Sequence, residues 1–179
     1  SVPGVSDISL GDMGLMNAWI MHGDMHKENG ENFETNVLRL TGDEKLFRIM
    51  QLHQIAGSEW ETLSERYGSA VFVNNTFAAL AEKSAKDLIG EPLIKYMYSR
   101  DSVSVIAGVV EDFYFNSLEN KTMAVVMKQI SSSETKITSM QIRLDGRDNK
   151  TTIKNIRQLW EQTYPDEYFT YTDIYQTFA

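Results

Sequence analysis

The segment His22-Gly23-Asp24-Met25-His26 holds the best coordination material in the chain. Imidazole with carboxylate suits zinc or nickel, and helical i, i+4 spacing would set His22 and His26 on one face with Asp24 or Glu28 near. Gly23 disfavours a helix there. The flanking Gly, Asp and Asn read as a solvated polar loop, so no metal site is expected. Glu111-Asp112 would serve general acid/base chemistry only if both carboxylates met one substrate. Adjacent residues of an extended chain face opposite ways, so the pair reads as a charged strand end. His53 lies in an apolar segment and reads as a structural histidine.

Other signatures of chemistry are incomplete. Gly57-Ser58 and Gly68-Ser69 lack the flanks of a nucleophile elbow. Gly11-Asp12-Met13-Gly14 does not fit a dinucleotide fingerprint, and no glycine-rich loop carries the phosphate-cradling lysine. With no cysteine, thiol nucleophiles, thiolate zinc sites and disulfides are all excluded. Three triplets, at Asn74, Asn120 and Asn149, match the glycosylation sequon, which has no meaning in a bacterial chain. Tyr164, Tyr168, Phe169, Tyr171, Tyr175 and Phe178 offer a sugar platform, but packing of a strand and a helix accounts for them more simply. Neither catalytic residues nor a cofactor are expected.

The 179 residues are 42% hydrophobic and 23% charged, which is globular rather than disordered composition. A net charge of −8 argues against nucleic acid as a partner, because such a groove needs clustered positive charge. No run reaches the roughly 18 to 20 apolar residues of a membrane span. The abrupt start at Ser1-Val2-Pro3-Gly4 reads as a piece of a longer protein.

Periodicity predicts strands at Val5 to Leu10, Phe33 to Leu40, Ala70 to Val73, Val103 to Val110, Met123 to Met127 and Ile137 to Leu144. A short strand within 18–21, an extended 51–55, a strand near Leu93 to Tyr98 and a last one at Tyr168 to Tyr171 are also expected. Asp43 caps a short helix through Leu46, Phe47 and Met50. Asn74 or Asn75 caps another with Phe77, Leu80 and Ala81 on one face. Ile153, Ile156, Leu159 and Trp160 mark an amphipathic helix stopped by Pro165, and Ile174, Tyr175 and Phe178 open a final one. Strands outnumber helices in irregular alternation, so the fold class is α+β.

Four segments, in order, resemble one family. Val2-Pro3-Gly4-Val5 before a strand is similar to the Pro-Gly-Val entry of the extracytoplasmic domain of MacB/FtsX-type ABC transporter permeases. Ala70-Val71-Phe72-Val73-Asn74-Asn75, then Asp87-Leu88-Ile89-Gly90-Glu91-Pro92-Leu93, resembles a second pair of motifs. The stretch from Val105 to Leu118 (VIAGVVEDFYFNSL) carries the most specific resemblance, to a Val-Ile-Gly-Val-Val…Asp-Phe-His-Phe pattern. Ile156-Arg157-Gln158-Leu159-Trp160 with Tyr164-Pro165 resembles the closing helix. The family more often has Lys where Glu111 stands and His where Tyr114 stands.

The resemblance implies mainly antiparallel sheets with a few packed helices, in two lobes. A membrane-proximal lobe would combine about 1–42 and 122–179, with about 43–121 inserted. It also implies a non-catalytic domain on the extracytoplasmic, periplasmic face of the bacterial inner membrane, in a parent embedded in that membrane. Such a domain would pass ATPase-driven motion to a substrate or envelope partner. Expected partners are a cytoplasmic ATPase subunit, reached through the parent's spans, and a periplasmic adaptor, lipoprotein or other envelope protein. The alternative is a PAS-like extracytoplasmic sensor or ligand-binding domain, which needs a pocket with converging polar groups.

Overall fold

The β-branched, uncharged run at Val105–Val110 forms the buried strand that its composition predicts, and a mixed sheet is built around it. The computed structural model describes residues 2–11, 19–27, 29–43, 45–60, 70–97, 104–113, 123–130 and 138–174. In chain order these give β1 (Val5–Gly11), β2 (Trp19–His26), β3 (Asn32–Gly42), α1 (Leu46–Met50), β4 (Gln54–Gly57), β5 (Ala70–Asn74), α2 (Asn75–Leu80), β6 (Val105–Val110), β7 (Ala124–Gln129), β8 (Ser139–Leu144) and α3 (Asn149–Thr163). The class is α+β, as expected.

The strand order is β4-β6-β5-β7-β3-β1-β8, with β2 paired to β3 beside that path. Pairs β3–β7 and β5–β6 are parallel, and the other ladders are antiparallel. The long β3 serves two neighbours along one edge: its first residues pair with β2, and Gly42 pairs with Gly11 of β1. Strands from 43–121 and from the flanking stretches meet in the β5–β7 ladder, where Phe72 faces Met127.

Both faces of the central strands are covered, so these strands read as continuous apolar runs rather than alternating ones. One face packs Val71, Val73, Ile106, Val109 and Val126 under Phe77 and Ala78 of α2 and under Leu88, Leu93 and Tyr96. The other packs Phe72, Ala107, Val110, Val125 and Met127 under Leu46 and Phe47 of α1 and under Trp60. Phe47 stacks on Trp60 at 4.4 Å, and Phe72 meets both rings edge-on at 4.8 and 5.3 Å. Such contacts contribute roughly 0.5–1.5 kcal/mol each beyond burial. Gly108 makes room for this cluster: a Cβ there would lie 2.2 Å from the Phe72 ring.

Several local expectations are corrected. Residues 93–95 form a 3-10 turn rather than a strand, and among the described residues the single bridges Met25–Met97 and Pro92–Val105 tie 92–97 to the sheet. Three of its residues, Leu93, Tyr96 and Met97, face the core together, a grouping that a strand's period of two cannot give. Tyr168 to Tyr171 is not in a ladder: its residues join no helix or strand, and Tyr168 is 94% exposed. Of the final helix expected at 174–178, Ile174 is the only described residue and is helical, whereas Tyr175 and Phe178 lie outside the described residues. Asp43 is not the N-cap of α1. Lys45 takes that position without a side-chain cap, and the Asp43 carboxylate accepts from Lys45 N, Leu10 N and Ser9 Oγ instead.

Candidate functional site

His22, Asp24 and His26 lie on strand β2, not in a loop. Pairing with β3 over eight consecutive positions overrides the polar composition and Gly23. In a strand the three alternate residues share one face, but the first and last are ~13 Å apart, so one ion cannot take both imidazoles. Each has a nearer partner across the hairpin. His22 Nδ1 lies 2.6 Å from Asn36 Oδ1, and His26 Nδ1 lies 2.5 Å from Asn32 Oδ1. His22 Nε2 is 3.9 Å from Glu34 Oε2 in full solvent. Among the described residues no group of three or more His, Asp or Glu is placed to hold a metal ion.

The hairpin's other face is apolar toward its end. Met25 is buried in the core, and His26 N donates to Tyr96 O at 2.7 Å. Lys27 sits at the turn with its ammonium 3.0 Å from both Glu31 and Glu82. Glu31 and then Glu82 hold Lys27 above the usual lysine range, and Lys27 in turn holds the Glu31 carboxyl below its ordinary value.

Glu111 and Asp112 end β6 facing different groups. The Glu111 carboxylate is 3.7 Å from His53 Nδ1. His53 is therefore not the packed histidine its apolar neighbours suggest but an exposed one. Asp112 Oδ1 accepts from Asn74 Nδ2 at 2.6 Å and from Thr76 N at 2.8 Å. Asn74 is fully buried and uses its whole amide. Its Oδ1 accepts from Phe77 N, capping α2, and from Val125 N; its Nδ2 also donates to Met123 O. One side chain thus joins the ends of β5 and β6, the start of β7 and the first turn of α2. Sequence alone gives the cap but not the other three bonds, because the partners come from residues 112–125.

Helix α3 meets the Pro3-Gly4 turn ahead of β1 through its first turn. Thr152 is its one fully buried residue. Its hydroxyl donates to Asp148 O and lies 3.4 Å from Pro3 O, and it occupies the space a Cβ on Gly4 would need. Asp148 accepts from Thr151 N, and hydrogen bonding from the Thr151 side chain first and its N–H second holds the Asp148 carboxyl below the usual carboxylate range. Farther along, Leu159 is 53% exposed. Residues after Pro165 fold back on the helix: Trp160 Nε1 donates to Glu167 O at 3.2 Å, the Trp160 ring lies 4.9 Å from Tyr164 and 6.3 Å from Phe169, and Arg157 covers Phe169 at 5.4 Å. The sugar-platform rings are therefore partly spent on α3.

Neither a family model nor a curated protein matches the sequence. Solved structures do. A domain assigned to a permease protein of Porphyromonas gingivalis superposes with a TM-score of 0.59 at 17% identity, over 93% of this chain and 73% of that one. The periplasmic region of MacB from Actinobacillus actinomycetemcomitans gives 0.58 at 11% identity, over 91% and 69%. This chain has the MacB periplasmic-domain fold. The extracellular domain of the noncanonic ABC-type transporter YknZ from Gram-positive bacteria gives 0.56 at 11% identity, over 93% and 80%. In this chain the Pro-Gly-Val entry leads into β1, Asn74 ends β5, the stretch from Val105 supplies β6 and Trp160 lies on α3. Among the described residues no helix is long and apolar enough to cross a membrane.

Proposed function

We propose that the chain is a non-catalytic extracytoplasmic domain of an ABC transporter permease, moving as one body when a distant ATPase changes nucleotide state. The observation that carries this reading is the likeness of over nine-tenths of the chain to a domain of a permease protein, to the periplasmic region of MacB and to the extracellular domain of YknZ. On this reading 1–42 and 122–179 form the membrane-proximal part, and 43–121 the part presented to a substrate, adaptor or lipoprotein. ATP is bound and hydrolysed elsewhere, on the cytoplasmic side. A remote nucleotide shifts the domain only if its binding energy differs between two arrangements of the complex. The β5–β7 ladder joins the two parts through backbone hydrogen bonds, which favours rigid displacement over bending between them.

The test uses the parent permease with its ATPase. A spin label on Ile20→Cys, an exposed position on β2, is paired with a second label on a membrane-embedded segment. The distance between them should differ between the nucleotide-free and ATP-bound complexes. An identical distribution in every nucleotide state overturns the proposal.

A further inference from the structure

We propose that residues 164–171 are a releasable clasp on α3, which opens under load before the helix or the sheet yields and adds reach to the carboxy-terminal side of the domain. The hydrogen bonds and ring contacts of this segment go to α3 or stay within the segment. Tyr164 N donates to Trp160 O, Glu167 N to Tyr164 O, and Trp160 Nε1 to Glu167 O. The Phe169 ring sits between Trp160, Arg157 and Tyr171. No residue of 164–171 is buried, and neither core cluster includes one. A region with exposed hydrogen bonds and few apolar contacts lies at the low end of local stability, so it opens without global unfolding.

The order of opening follows from geometry. A pull on the chain after residue 171 peels Phe169 first and the Glu167 carbonyl next, one contact at a time. The β1–β8 ladder, by contrast, holds register from Asp7↔Arg143 to Gly11↔Ser139, so its contacts load together. At some 3.4 Å per residue the straightened segment from Tyr164 to Tyr171 spans about 24 Å, which bounds the length the clasp can free. This deepens the proposed mechanical role and rests on it: small displacements pass through α3 rigidly, and larger ones are absorbed by the clasp.

The absence of native cysteine lets two pulling handles be placed cleanly, on Lys150→Cys and Thr172→Cys, both exposed. Under optical tweezers the chain should lengthen in two steps, first by at most about 24 Å as the clasp releases and then as α3 unravels. Phe169→Ser should remove the first step, and Trp160→Phe, which lacks the Nε1 donor, should lower its force. The thermal midpoint of the sheet should stay unchanged in both. A single step through 150–172 in the parent sequence overturns the proposal, as does a first step that survives Phe169→Ser. A lowered midpoint in Phe169→Ser makes that ring part of the core and overturns it too. Transport is not measured, so a parent that works without moving this domain leaves these outcomes unaltered.

Discussion

Asn74 concentrates more of the fold's order than any apolar side chain of its size could. Four hydrogen bonds to residues 77, 112, 123 and 125 bring three strand ends and a helix start to one buried amide. Asn74→Ala removes the α2 cap and strands Val125 N and Met123 O away from water. A lost cap costs about 1 kcal/mol, and buried unpaired groups about 1–3 kcal/mol each. A loss of about 3 kcal/mol is expected, read as a lower urea midpoint, and an unchanged midpoint would contradict the network. Gly108 is the counterpart in packing. Gly108→Ala drives a methyl into Phe72 and should cost about 1–3 kcal/mol by overpacking. The smaller ring space of Phe72→Leu combined with it should recover part of that loss, and strictly additive losses in the double variant would show that the two do not share one space.

At the scale of elements, α3 depends on its start. The Asp148 carboxyl has a folded-state pKa below its ordinary 3.8, because its ionised form accepts from Thr151. Its contribution is therefore complete above the unfolded value and is lost as pH falls through the folded one. Helical signal from α3 should fade between about pH 4 and more acid conditions before the sheet melts, and Asp148→Asn should blunt that fading. The Asp7–Arg48 pair, which holds β1 against α1, lowers the Asp7 carboxyl in the same direction and loses strength over the same window. What the sequence made legible were β1, β3 and β8, the uninterrupted apolar runs of β5, β6 and β7, and the helical period of α3. It misled where a packed neighbour overrides the local pattern. The polar β2 is a strand because β3 lies beside it, and 93–97 is a turn because three of its residues must face one core. The strand-prone aromatics at 168–171 have no ladder because α3 takes Phe169 instead. Of the candidate site, the Asn74 cap was legible and its link to Asp112 was not, since that contact spans 38 residues of sequence.

Taken whole, the described residues keep the candidate metal ligands apart and pack two cores on the two faces of one sheet. Chelation should leave the thermal midpoint where it was, because His22 and His26 are held by Asn36 and Asn32 along one strand. A drop of many degrees with EDTA would reveal a metal among residues 22–26 or elsewhere. The topology also governs how the molecule can come into being. Ser6 donates to Arg143 across 137 residues, and β3 must wait for β7 to complete its parallel ladder. Loop closure of that length comes before any reward in contacts, so folding is slow relative to a helical protein of equal size. During synthesis β1, β3 and β5 therefore emerge before their last neighbours, β8 for the first and β7 for the other two. The nascent chain carries apolar strand edges bare in that interval, and its hazard of aggregation persists until residue 144 arrives.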